Sequence, residues 1–476
     1  MTPSPRLLQH TPARSLSEVY RTLQQAPLET IEELKAFYRK ELNEVRGGDR
    51  MQRIQMRLRR AYADGIPFKA CVMGHRGVGK STEISRLLAH VRDQFRAIRF
   101  SAMTALDPGN FRALDVLLLM MAEVTERTAR PVDQGGAGKR PSDQRLREIW
   151  DWFATETEMR SQAQDAAMQL EAGAGLPADS LWGKVLGLFA NLKSEIKFAA
   201  TRKVEVVEYR ISRLIKLIDI ANALLDECNQ HLRSASGHEW LFVGEDFDRA
   251  GIPTERTEEL FVTYANLFQD LRTHLIFTLP IGLYYSSAAP RLPFPMDCSF
   301  VIPDTPVYDP HHKLNRPGSL AVGKVLQARM DLNLFEKNQW LRVAIASGGN
   351  LRDLFALVNY AADTAQLRAA AQISATDLDA AIVNLRSDYE RRLGQSPYDR
   401  EVVTYDHKVD RMKRIYAGDQ EAQMTDPVMY SLLNSRAVQE FNGQRWFGLH
   451  PMVVDILGRQ GHLEADGQGR FPGGTI

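Results

Sequence analysis

Residues 74–82 read GHRGVGKST, and no other stretch constrains the fold of this 476-residue chain as strongly. Glycines at this spacing before a lysine and a hydroxyl residue bring backbone N–H groups against phosphate oxygens. They do so where a strand turns directly into a helix whose positive end faces the anion. The flanks agree, with KACVM before the loop and the amphipathic STEISRLLAHV after it. In that setting the backbone at Gly74, Gly77 and Gly79 cradles phosphate, Lys80 reaches the terminal groups, Ser81 ligands a Mg2+ ion and Thr82 opens the helix.

Short apolar runs continue the pattern: AIRFSA (97–102), EWLFVGE (239–245), LIFTLP (275–280) and SFVIP (299–303) alternate with amphipathic stretches. Strands that are apolar throughout are buried on both faces, which implies an α/β fold with a mainly parallel sheet. More than a hundred residues separate the second run from the third, including the turn EAGAGLPADS (171–180). A stripe then follows through Val207, Ile211, Leu214, Ile218, Ala221, Leu225, Cys228 and Leu232. Steps of four and three predict a long helix, lying on the core or serving as a partner-binding arm. Before the sheet, ETIEELKAFYRKELNEV and MQRIQMRLRRAYADG predict two helices joined at Gly47–Gly48. After it the chain reads as helical to about residue 393. A helix at 426–435, a hairpin turning at Asn442–Gly443 and a helix opening at His450–Pro451 then suggest a winged-helix-like module.

These patterns divide the chain into a helical leader (1–68), a core (69–319) with a helical insertion at about 131–238, a helical lid (320–393) and the C-terminal module (394–476). A hydrophobic share of 44% and a charged share of 25% belong to an ordinary globular protein. The longest apolar runs, such as LDVLLLMM at 114–121, are too short to span a membrane, and MTPSPRLLQHTPARS has no apolar signal core. A cytoplasmic protein without a membrane partner is expected. Cys71, Cys228 and Cys298 stand singly, which excludes a disulfide framework or a thiolate zinc site.

A phosphate clamp needs a carboxylate at the end of a neighbouring strand, and WLFVGEDFDR (240–249) supplies it. Glu245 is placed to hold Mg2+ through water and Asp246 to polarise an attacking water. GxxxxGKS, the acidic EDFDR, the polar Thr278 ending LIFTLP and SGGNLRDLF (347–355) together resemble the AAA+ ATPases and their STAND-type relatives. EDFDR is also similar to the DDLDR segment of the KAP NTPases. The resemblance spans about residues 60–370 and implies a P-loop ATPase using ATP and Mg2+. It implies that Thr278 and Arg352 sense the nucleotide, and that an arginine acts on a neighbouring subunit in an ATP-driven homo-oligomer. Arg291 is the candidate, with Arg249 and Arg256 as rivals; His75 and Arg76 read as loop shape. The usual acidic order is Asp then Glu, so Glu245–Asp246 implies slow turnover and a switch.

Resemblance to stand-alone bacterial ATPases implies control of a separate effector protein in antiviral defence. The alternative is a DNA-binding initiator or loader. The net charge of +1, and eleven basic against eleven acidic residues over 386–459 with only Arg445 in the wing, leave nucleic acid possible but not favoured.

Overall fold

The computed structural model describes residues 10–153, 180–198, 210–249, 251–395, 402–441, 446–467 and 469–474. Five strands, β1 (Lys69–Met73), β2 (Phe95–Ser101), β3 (Glu239–Glu245), β4 (His274–Leu279) and β5 (Ser299–Val301), form one sheet in the order β2-β3-β4-β1-β5. Every pairing is parallel, with Ser101 opposite Glu245 and Val72 opposite Thr278. The carboxyl ends therefore share one edge, which is where open α/β sheets bind ligands.

Alternate residues explain the unbroken apolar runs. Ala70, Val72, Leu241, Val243 and Ile276 pack against Met51, Ile54, Ile84 and Leu87 of the helices Arg50–Asp64 and Lys80–Val91. Cys71, Met73, Trp240, Phe242 and Phe277 face the opposite, larger core. Burying each such large side chain stabilises by about 1.5–3 kcal/mol. Gly244 breaks the run for a steric reason: a Cβ there would lie 2.5 Å from the Phe277 ring. Its absence lets Phe277, Phe247 and Phe261 meet edge to face beneath the acidic loop, with centroids 5.5–5.6 Å apart.

The described helices of the insertion, Asp143–Phe153, Leu181–Lys197 and Leu214–Ser236, pack with Ala113–Ala129 on that larger core. Of the stripe, Ala221, Leu225, Cys228 and Leu232 are buried there and Leu214 and Ile218 pack partly buried against the same core, so from Leu214 onward it lies on the chain's own core. Val207, residues 171–179, Asn442, Gly443 and Arg445 lie outside the described residues.

The leader is helical but not in one piece. Thr30 caps Ile31–Phe37 through a capping box, and the chain then breaks at Tyr38 before Glu41–Val45. Tyr38 turns extended so that its hydroxyl donates to Glu83 at 2.9 Å, with the Arg86 guanidinium 5.1 Å from its ring centroid. Tertiary contact overrides helix propensity there.

The lid comprises Arg316–Arg329, Gln339–Ala346, Leu351–Leu367 and Ala375–Leu393. Tyr405–Tyr416, Pro427–Ser435, the antiparallel strands β6 (Val438–Phe441) and β7 (Trp446–Leu449) and Pro451–Arg459 follow. The hairpin leans on the core, where Asp304 N donates to Glu440 O at 2.9 Å. Among the described residues no helix is long and apolar enough to cross a membrane.

Candidate functional site

The clamp loop leaves β1 with Gly74, Gly77 and Gly79 all at positive φ, and Gly79 caps Lys80–Val91. The helix thus opens at Lys80, two residues before Thr82. At Gly77 (φ +97°) a Cβ would fall 2.3 Å from Asn350 Oδ1 and 2.8 Å from Arg352 Cβ. The glycine is required by the approach of the lid as well as by its φ.

Lys80 Nζ donates to Gly74 O (2.8 Å) and His75 O (3.0 Å) and pairs with Asp248 at 2.7 Å. Its three protons are committed, and the Asp248 position is the one a phosphate oxygen would take. Asp248 is the residue the sequence reading passed over. The signal was its place two residues past Asp246, whose left-handed backbone (φ +68°) turns the loop back toward the clamp.

One cleft brings together Gly77, Gly79, Lys80, Ser81, Thr82, Asp246, Asp248, Thr278 and Arg352. The Thr82 hydroxyl accepts from Leu28 N at 3.1 Å, so it also anchors the leader. Thr278, at the end of β4, is 1% exposed, and its buried Oγ1 has no hydrogen-bond partner among the described residues. Arg352, in the first turn of Leu351–Leu367, has its guanidinium pushed down to about 10 by burial, reinforced by Arg76, Arg249 and Arg436.

The two acidic residues stand differently from the expected roles. Glu245 does not line the cleft; its Oε2 accepts from Arg99 Nε (2.9 Å) and Nη2 (2.6 Å). Its Oε1 is buried without a partner among the described residues. Asp246 lines the cleft with both oxygens engaged, by Ser101 Oγ (2.5 Å) and Arg249 Nε (2.5 Å). Burial raises its pKa, but those hydrogen bonds and the charges of Arg249 and Lys80 outweigh it and hold the carboxyl below its ordinary range. A carboxylate so stabilised is a weak base.

The Ser81 hydroxyl and Thr278 Oγ1 in the cleft fit a hydrated Mg2+ shell bound chiefly through phosphate; Glu245, outside that lining and held by Arg99, would reach it only through water. Arg291 ends an exposed turn, Ala289–Arg291, and is not part of this cleft. Arg256 pairs with Glu259 at 2.8 Å, and Arg249 lines the cleft.

His75 and Arg76 do more than shape the loop. His75, 2% exposed, accepts from Glu440 N through Nε2 at 3.2 Å. Burial depresses its pKa, keeping the ring neutral. Arg76 O accepts from Asn350 Nδ2 (3.0 Å) and Arg436 Nη1 (3.3 Å). The lid and the C-terminal hairpin thus both grip the clamp.

A glycine clamp after β1, an acidic loop after β3, a polar residue ending β4 and a lid arginine share the carboxyl edge of a sheet ordered β2-β3-β4-β1-β5. The chain has the AAA+ P-loop fold. No family model matches it, and no curated protein does. Solved structures similar to it include the Aeropyrum pernix ORC2 protein in ADPNP–ADP complexes, at 12% identity and TM-score 0.39, covering 87% of this chain and 94% of that one. Another is Drosophila ORC bound to DNA, at 11% and 0.39, covering 92% and 82%. A third is a Walker-type ATPase of Pyrococcus abyssi, at 11% and 0.38, covering 92% and 99%.

Proposed function

We propose that the chain is a slow, ATP-hydrolysing switch that passes the state of its clamp to the lid and the C-terminal module. The observation that carries this is the shared grip on residues 75 and 76 by Asn350, Arg436 and Glu440. A triphosphate that orders the clamp acts on both at once, and a ligand shifts an equilibrium only through such differential contacts. In this reading Gly77, Gly79 and Lys80 hold phosphate, and Arg352 reads its terminal group. Ser81 binds Mg2+ directly and Glu245 Oε1 through water; the ion would neutralise phosphate charge. Asp246 orients the attacking water only after yielding Ser101 or Arg249, which accounts for slow turnover. Arg291, outside its own cleft, serves a neighbouring copy, so assembly on ATP is part of the proposal.

Two outputs remain from the sequence. One of the similar structures was solved bound to DNA, the setting of the initiator or loader alternative. Control of an effector protein and an antiviral setting draw no support from the structure or the comparisons.

The test is to titrate ATP and a non-hydrolysable analogue into wild type and Lys80→Ala, following affinity, turnover, solution mass and DNA binding. Loss of the Lys80 charge should weaken nucleotide binding by about tenfold or more. Wild type with the analogue should be larger than with ADP. Equal affinity and turnover in the two folded proteins would overturn the clamp reading, and an unchanged mass would remove the role of Arg291.

A further inference from the structure

Adjoining the nucleotide cleft, with which it shares Gln25, Arg76, Asp248, Arg249 and Arg352, lies a second cavity of about 580 Å³, a size suited to a small molecule. Its walls come from the clamp and acidic loops, from the end of Ala375–Leu393 and from Pro427–Ser435. Six arginines line it, Arg76, Arg249, Arg352, Arg391, Arg392 and Arg436, against one carboxylate, Asp248. That carboxylate is already paired with Lys80.

Four of the arginines have partners: Arg249 pairs with Asp246, Arg391 and Arg392 with Asp388, and Arg436 with Asp353. Arg76 and Arg352 differ. Among the described residues neither guanidinium makes an ion pair or a hydrogen bond, and the Nε of each is buried without an acceptor. Like charges brought together under partial burial are costly unless an anion compensates them. Arginine forks match phosphate oxygens two at a time. Arg391, Arg392 and Arg436 line this cavity and not the nucleotide cleft, so the positive lining continues beyond the clamp.

We propose that this cavity binds a second, small phosphate-bearing ligand beside the nucleotide in the clamp, with Arg76 and Arg352 shared between the two sites. The proposal rests on the clamp reading only for the place of the first ligand. Because the second site lies between core, lid and C-terminal helices, its occupant would bias the same grip on residues 75 and 76.

The experiment is calorimetric titration of inorganic pyrophosphate into the full chain saturated with Mg2+ and a non-hydrolysable ATP analogue. One further equivalent should bind. Arg391→Gln with Arg392→Gln should weaken it about tenfold while leaving analogue affinity and the melting temperature unchanged. The Arg391 and Arg392 side chains are 67% and 31% exposed, and glutamine keeps the aliphatic stem that Arg392 lays on the Tyr389 ring, so this variant is expected to fold. Three results would overturn the proposal: no binding to the analogue-filled protein, equal binding by the double variant, or a double variant that loses analogue but not ADP affinity. The last would mean that the arginines serve the terminal phosphate of the ATP in the clamp. If the analogue itself failed to bind, pyrophosphate binding to the free protein that depends on Arg391 and Arg392 but survives Lys80→Ala would still uphold the cavity. Its loss in Lys80→Ala alone would refute it.

Discussion

At the scale of single residues, the pairing of Lys80 with Asp248 sets up a competition. In the proposed reading, a phosphate arriving at the clamp must take Lys80 Nζ from a carboxylate that holds it at 2.7 Å, with side-chain exposures of 7% and 10%. Charge-assisted hydrogen bonds of this kind contribute about 1.5–3 kcal/mol. Asp248→Asn keeps the shape and removes the charge, so nucleotide should bind several-fold more tightly than to wild type. A titration showing weaker binding instead would assign Asp248 to the Mg2+ shell. The placement of Asp248 against Lys80 and of Arg76 under the lid was not legible in the sequence, whereas the shared loop of Gly77, Gly79 and Lys80 was. A clamp motif fixes its own backbone, but the direction of the acidic side chains depends on the left-handed turn at Asp246 and on the steric gap at Gly244. Nothing in the string EDFDR states that turn.

At the scale of elements, the lid helix Leu351–Leu367 meets the clamp through its own cap. Asn350 Oδ1 accepts from Arg352 N (3.1 Å) and Asp353 N (3.5 Å), while Nδ2 donates to Arg76 O (3.0 Å). One side chain both starts the helix and fixes the loop. Asn350→Ala removes an N-cap and leaves a buried carbonyl without that donor, a loss of about 1–3 kcal/mol. It should also weaken nucleotide binding. Urea unfolding and nucleotide titration of the variant check the two effects separately, and a destabilised protein with unchanged affinity would show that the lid does not position the clamp. The strands were readable as apolar runs, and so were the helices Pro427–Ser435 and Pro451–Arg459 and the hairpin strands, whereas Tyr405–Tyr416 was not. The break at Tyr38 was not, because its cause, Glu83, lies on another element. The helical stripe down to Leu232 left two readings open, since periodicity marks a buried face without naming what buries it.

At the scale of the whole molecule, lid and C-terminal module are joined by buried polar groups that respond to acid. His450 caps Pro451–Arg459, accepting from Met452 N at Nδ1 and donating to Ser347 O at Nε2, with its ring stacked 4.3 Å from that of Tyr389. Burial pushes its pKa down to about 4 and Arg436 adds to this, although Asp353 opposes it. The unfolded imidazole takes its proton near 6.5, so between about pH 6.5 and 4 the unfolded chain binds the additional proton and stability falls as pH drops. The full loss is about 3 kcal/mol. Asp353 is held below its ordinary range by Arg436, His450 and Tyr389 despite burial, so acid takes stability from it in the same direction at lower pH. Urea midpoints from pH 7.5 to 4.5 should slope less in His450→Asn than in wild type, and identical slopes would clear His450 of the effect. The leader carries a different consequence. Ala13 bridges to Met330, Arg329 donates to Thr22 O, Arg46 donates to Thr305 Oγ1 and Gln25 to Arg352 O, across as many as 327 residues of sequence. Contacts this distant in sequence slow folding, because the loop between them must close first. On a ribosome the opening segment therefore waits, its apolar face uncovered, until the lid has been made, and a chaperone that shields it during that interval should raise the yield of native protein.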